Sequence, residues 1–360
     1  MLESKVVVIK IGSNVLTQSN GLPDLVRMQH LVNQIHGLIS AGKKIVLVSS
    51  GAVAFGRQSI TLPEKLNPVF KKQIWAATGQ IRLINQYQQF FETLNQPVAQ
   101  ILVTKEDFRD RKHFLNMKNC IEALLQQGIL PIINENDTVT ITELMFTDND
   151  ELASLTAAMI NADTLILLTN VDGIFTGNPS EPGSELIDKV SSGMPEVSNY
   201  ISATKSSFGR GGMLTKYAMA KKSADLGIQV IIANGKRDGI LDEFAQKKLR
   251  CTWFEPQKVK HAAKKWLAHG AQYYKGELVI NEGAKASLTT SVIRSLLPVG
   301  ITKIEGEFSK GDILLIRDES GNKIGLGRAE YTSKLAMERM GQKNQKALIH
   351  YDYLYLFDHE

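Results

Sequence analysis

Cysteine is nearly absent from this sequence, with Cys120 and Cys251 alone among 360 residues. Two such residues offer neither a disulfide framework nor a metal-ligand spacing, so a reducing compartment is expected. Long apolar runs are missing too. The amino-terminal stretch MLESKVVVIKIGSNVL is broken by Lys10 and lacks the architecture of a signal peptide. No segment reaches the ~20 apolar residues that span a bilayer. A cytoplasmic protein without a membrane partner is the expectation. The chain also lacks a GxxxxGK[ST] loop and a GxGxxG after a strand, which removes two familiar nucleotide signatures. No histidine, His113 included, has the spacing of a metal site or a catalytic triad, and the histidines read as structural or surface residues.

What is present suits a folded protein of ~two or three domains, with 43% hydrophobic residues to fill a core. VVVIKI (6–11) is a β-branched run ending at Gly12, and apolar residues from Leu25 to Ile39 recur at helical spacing. Further strands are predicted at KIVLVS, VAQILV, ILPII, TLILLT and VIIAN, with helices over 114–127, 151–161 and 213–226. Strands alternating with helices predict a mainly parallel sheet covered on both faces, a three-layer α/β/α sandwich. Ligands of such sheets bind beyond the carboxyl ends of the strands. Polar clusters fall at those ends: Gly12 and Ser13, Ser49 to Gly51, Asn134 to Asp137, and Thr169 with Asn170. From about residue 276, short pieces such as ELVI and DILLIR with turns KGD and SGN predict a small all-β unit. Residues 236–265 hold nine Lys/Arg against four acids, a basic stretch that reads as a solvated helix and linker or as a contact for phosphate or RNA.

Four places can carry chemistry, and each has a plain alternative. Lys10 lies inside an apolar strand, where its ammonium must reach an anion or snorkel to water. SSGAVAFG (49–56) opens a helix whose free N–H groups suit an anion, though capping by Ser49 or Ser50 explains the same residues. FGRGGMLTK (208–216) is a glycine-rich entry to a helix, either a phosphate cradle or a simple turn. Asp148, Asn149 and Asp150 precede a helix as caps, yet three polar residues exceed what one cap needs.

Together, VVVIKIGSNVL, VSSGAVAFG, WAATGQ, PIINENDTV, FTDNDELA, LLTNVDGIFTGNP and GRGGMLTK resemble, in order, the amino acid kinase family. Within it they are similar to the members that phosphorylate L-glutamate. GEFSKGDILLI and GLGRAEYTS resemble a PUA domain, a β barrel common in RNA-modifying proteins. The resemblance implies a catalytic domain over 1–255, a linker over 256–275 and a PUA domain over 276–355. It implies ATP and Mg²⁺, phosphorylation of the glutamate side-chain carboxylate as the first step of proline synthesis, L-proline as feedback inhibitor, RNA at the PUA module, and a homo-oligomer, dimer or tetramer. By motif, Lys10 and Lys216 hold phosphates and stabilise the transferring group, and Asp150 orients them. Ser50, Gly51, Asn134, Asp137, Asp148 and Asn149 receive glutamate, and no residue is assigned to a metal. Gly12, Ser13, Thr169, Asn170, Arg210, Gly211, Gly212, Met213, Leu214 and Thr215 line the nucleotide site with the two lysines.

Three residues depart from the family's pattern: Asn170 for aspartate, Thr147 for glycine and Arg210 for threonine. Two other readings compete, a sister kinase acting on another small carboxylate and an RNA-binding protein built on a kinase scaffold. Retention of Lys10, Lys216, Asp137 and Asp148 to Asp150 speaks against the second.

Overall fold

The computed structural model describes residues 4–139, 146, 148–179, 181–191, 212–257, 274–289 and 294–357. The chain divides into two compact units, residues 1–106 with 116–258 and residues 107–115 with 259–360. No helix among the described residues is long and apolar enough to cross a membrane.

The first unit opens with β1 (Val6–Ile11), α1 (Leu25–Ser40), β2 (Lys44–Ser49), α2 (Ala52–Ser59), α3 (Pro68–Glu92) and β3 (Val98–Val103). After α4 (Lys105–Arg109) and α5 (Arg111–Gln126), of which residues 107–115 count with the second unit, come β4 (Leu130–Glu135), α6 (Asn149–Met159), β5 (Thr164–Thr169) and β6 (Lys189–Val190). It closes with α7 (Met213–Asp225), β7 (Gln229–Asn234), α8 (Ile240–Ala245) and β8 (Thr252–Phe254). The strands form one eight-stranded sheet in the order β3-β4-β2-β1-β5-β7-β8-β6. Every pairing is parallel except β7 with β8. The central strands are buried along nearly their whole length, so they read as continuous apolar runs rather than as alternating ones.

Alternation along β1 decides what each face receives. Val7, Ile9 and Ile11 join a core with Met28, Leu31 and Ile35 of α1 and with Leu83, Tyr87 and Phe91 of α3. Successive side chains of a strand point to opposite faces, so Lys10 is turned away from that core.

Local chemistry starts the helices. Asp24 caps α1 by accepting from the Arg27 N–H, and Asn67 caps α3 by accepting from the Val69 N–H, with Pro68 following in the first turn. Neither Ser49 nor Ser50 caps α2. The cap is Gly51 at φ 112°, a left-handed conformation that glycine adopts without strain, and no side chain bonds there. The Ser49 hydroxyl is instead buried 2.8 Å from the Tyr87 hydroxyl.

Helices α2 and α3 approach backbone to backbone. A methyl group on Gly79 would run into the carbonyl oxygen of Ala52, and one on Gly56 into that of Trp75. This contact ties the start of α2, beside Ser50, to the middle of α3.

The second unit carries β9 (Gly276–Ile280), β10 (Ile301–Glu305), β11 (Ile313–Asp318), β12 (Lys323–Ala329) and β13 (Ile349–Leu356), in the sheet order β10-β9-β11-β12-β13. Only β9 with β11 is parallel among these pairings. It is strand-rich as expected, and α9 (Glu282–Thr289) and α10 (Ser333–Arg339) accompany the sheet. Most of the stretch expected as a linker, 258–273, lies outside the described residues.

Gly79→Ala is expected to destabilise the protein by about 1–3 kcal/mol, the scale of overpacking a closed contact. Gly37→Ala, in α1 where a methyl group meets open space, is expected to stabilise it by ~0.5–1 kcal/mol. Urea denaturation midpoints of the two variants should therefore move in opposite directions.

Candidate active site

A cleft of about 1140 Å³ lies beyond the carboxyl ends of β1, β2, β4 and β5. It brings together Lys10, Gly12, Ser13, Ser50, Gly51, Asn134, Asp137, Asp148, Asn149, Thr169, Asn170, Gly212, Met213 and Lys216 from distant parts of the chain. Asp150 is fully buried and reaches the same place through both lysines. Leu214 and Thr215, expected at the nucleotide, do not line the cleft, and Leu214 is exposed. Thr147, Arg210 and Gly211 lie outside the described residues.

Asp150 stands between two ammonium groups. Its Oδ1 is 2.6 Å from Lys10 Nζ, and its Oδ2 pairs with Lys216 Nζ. Snorkelling to water is thereby excluded for Lys10, whose side chain is 5% exposed. Burial would raise the Asp150 carboxyl, but the Lys10 and Lys216 charges outweigh it and hold the group well below the usual range. Burial pulls Lys10 below its ordinary value, with the Lys216 charge adding to the fall and Asp150 opposing it. Burial pulls Lys216 the same way, yet the Asp150 carboxylate leaves it raised.

The α6 entry does two jobs. Asp148 is the cap, and its Oδ1 accepts from the N–H groups of Asp150 and Glu151 at 2.9 and 3.1 Å. Asn149 and Asp150 occupy the first turn and are left for the cleft. The Asn149 amide nitrogen reaches Ser50 Oγ at 2.9 Å, Asn134 Oδ1 at 3.1 Å and the Ser49 carbonyl at 3.2 Å. Burial pushes Asp148 up to about 6, helped by the Asp150 charge.

Helix α3 supplies residues that the sequence reading missed. Lys72 Nζ lies 2.7 Å from Asp137 Oδ1 and lines the cleft. Gln80 accepts from the Asn134 amide at 2.8 Å. Lys72, Ala76 and Gln80 recur every four residues, the spacing of one helix face, and that period was the available signal. Beneath them Glu135 accepts from the Phe146 N–H at 3.1 Å, and burial together with the Asp137 charge pushes it up to about 7. Burial also raises Asp137, to about 6. At neutral pH the carboxylate form therefore still prevails.

An arrangement with one buried and one partly buried lysine, a carboxylate between them and no histidine among the described lining residues is built to bind and orient anions. Residues 5–234 match the amino acid kinase family. The chain belongs to the amino acid kinase family. Residues 276–351 match the PUA domain. A member of the kinase family called glutamate 5-kinase, from Bacteroides thetaiotaomicron, is 50% identical over 353 residues, covering 97% of this chain and 98% of the relative. Glutamate 5-kinase from Chlorobaculum tepidum is 49% identical, with 97% of both chains covered. Carbamate kinase from Giardia lamblia bound to AMP-PNP shares the fold at a TM-score of 0.52 and 18% identity, over 71% of this chain and 99% of its own. UMP kinase from Ureaplasma parvum does so at 0.50 and 17%, over 71% and 100%.

Removing a carboxylate that compensates two buried ammonium groups is expected to cost about 3–5 kcal/mol. Asp150→Ala should accordingly lower the urea midpoint of the whole protein, and an unchanged midpoint would mean that the two lysines do not depend on it.

Proposed function

We infer that the chain transfers the γ-phosphoryl group of ATP to the side-chain carboxylate of L-glutamate, the first step of proline biosynthesis. The observation that carries this is 50% identity to a glutamate 5-kinase across 97% of the chain. In this reading Lys10 and Lys216 hold the phosphates and stabilise the transferring group, while Asp150 orients both. Ser50, Gly51, Asn134, Asp137, Asp148 and Asn149 receive glutamate. Gly12, Ser13, Thr169, Asn170, Gly212 and Met213 serve the nucleotide together with the two lysines, and Arg210 and Gly211 are assigned to it by motif alone. The division of labour places catalysis in 1–255, with 276–355 as an appended module.

The chemistry needs no general base. A glutamate side chain has a pKa of ~4.3 and is already an ionised nucleophile at neutral pH. The obstacle is bringing this anion against polyanionic ATP, so positioning and positive charge dominate. The Lys10–Asp150–Lys216 group carries one more positive than negative charge, and its burial strengthens the field felt by a phosphate. Asn149, Ser50 and Asn134 are neutral, so they orient a carboxylate without repelling it.

Mg²⁺ fits this site in one respect. Asp148 Oδ2 is buried and has no hydrogen-bond partner among the described residues, and Asp148 lines the cleft. No cluster of three or more metal-binding side chains occurs among the described residues. That pattern suits an ion held by one carboxylate and by substrate phosphates. Asp148 would hold it, and when bound it would neutralise phosphate charge. Feedback by L-proline, RNA at the PUA domain, a homo-oligomeric assembly and a cytoplasmic location belong to the same proposal.

Release of ADP should require L-glutamate, with aspartate, N-acetylglutamate and buffer alone giving none. Equal release with aspartate or N-acetylglutamate would move the assignment to a sister kinase. Lys10→Ala and Lys216→Ala are each expected to lower kcat by ~100-fold or more, the scale of losing one preorganised transition-state donor. Full turnover by either folded variant would remove its role. The Asp137 carboxyl, raised by burial to about 6, must be ionised to receive an ammonium. The KM for glutamate is therefore expected to climb as pH falls through about 6, and Asp137→Asn should flatten that profile.

A further inference from the structure

The Lys72–Asp137 ion pair stands in the same cleft as Lys10 and Lys216, and the proposed function gives a role to Asp137 but none to Lys72. Lys72 projects from α3 and Asp137 from the segment after β4, so two separate elements bring the charges together. Their side chains are 33% and 14% exposed. A pair that solvent still reaches can open toward a ligand, because water and the ligand take over its hydrogen bonds as it parts.

Two opposite charges held side by side complement the head of an α-amino acid, which carries an ammonium and a carboxylate on one carbon. The surrounding contacts favour this end of the cleft for that head. Asn149 follows Asp148 directly and precedes Asp150, and its amide links Ser50 to Asn134. Asn134 in turn is tied to Gln80, two helical turns along α3 from Lys72. The neutral amides thus share elements with both ends, α6 with Asp150 and α3 with Lys72.

We propose that Lys72 receives the α-carboxylate of the amino-acid substrate, which enters by opening the Lys72–Asp137 pair and seating its ammonium on Asp137. The proposal rests on reading this cleft as a glutamate site and adds the group that selects a free α-amino acid. Each protein charge exchanges one opposite partner for another, so none is left uncompensated. A dicarboxylate brings no ammonium to replace the one that Asp137 gives up, and neither does an N-acylated amino acid. An amine without the α-carboxylate brings no anion to replace the one that Lys72 gives up. Selectivity follows from these unreplaced partners as much as from attraction. Lys72 is then a binding residue that sets specificity, and its loss acts on substrate and transition state alike.

The test uses the full-length chain with Lys72→Met, Lys72→Arg and Asp137→Asn. Glutamate kinetics are measured together with inhibition by 4-aminobutyrate, which lacks the α-carboxylate, and by glutarate, which lacks the ammonium. Lys72→Met is expected to raise the KM for glutamate roughly 10- to 100-fold, the scale of one charge-assisted hydrogen bond, with kcat changed far less. Glutarate should weaken in parallel while 4-aminobutyrate keeps its inhibition constant, and Lys72→Arg should recover most of the loss. Asp137→Asn should show the reverse pattern, weakening 4-aminobutyrate and sparing glutarate. An unchanged KM in Lys72→Met, or equal weakening of both inhibitors, would overturn the proposal and hand the α-carboxylate to the N–H groups that open α2. Wild-type protein inactive on glutamate would instead bring down the functional reading, and this proposal with it.

Discussion

Asp150 is fully buried between the ammonium groups of Lys10 and Lys216, and the geometry of the lysine end of the cleft hangs on that carboxylate. Either lysine alone would face a heavy desolvation penalty in its position. One carboxylate shared by both compensates that penalty and leaves one positive charge in excess. The arrangement is stable enough to exist before ligand arrives, and its surplus charge is available to a phosphate. Three elements must agree for it to form. β1 has to turn Lys10 away from its apolar neighbours, α6 has to start at Asp148 so that Asp150 falls in its first turn, and α7 has to present Lys216 from the facing side.

The other side of the cleft, where the proposal seats glutamate, is organised by a different constraint, the glycine-mediated approach of α2 and α3. With Gly79 against Ala52, the start of α2 and the cleft face of α3 are held in fixed relation. Ser50 and Gly51 thereby stay beside Asn149, and Lys72 and Gln80 reach the residues that follow β4. Charged and neutral groups are sorted along the cleft. The lysines with excess positive charge stand where phosphates are expected, amides and a hydroxyl occupy the middle, and a balanced ion pair closes the other end.

The division between the two sources of information follows from the range of the forces involved. Short-range preferences were readable along the chain: apolar runs marked β1, β4, β5 and β7, helical spacing marked α1, the capping residues Asp148 to Asp150 announced α6, and Gly12, Ser50, Asn134 and Thr169 stood where strands end. The match of motifs in order carried the family. By itself the sequence also offered Lys10 two fates, snorkelling or pairing, and only the fold chose, because Asp150 lies 140 residues away and meets it through packing. It offered Ser49 and Ser50 as caps, whereas a backbone turn at Gly51 made a side-chain cap unnecessary and freed Ser49 for Tyr87. Lys72 drew no reading from the sequence at all. Its pairing with Asp137 depends on where α3 crosses the sheet, a tertiary fact set by two glycines against two carbonyl oxygens that no local preference encodes.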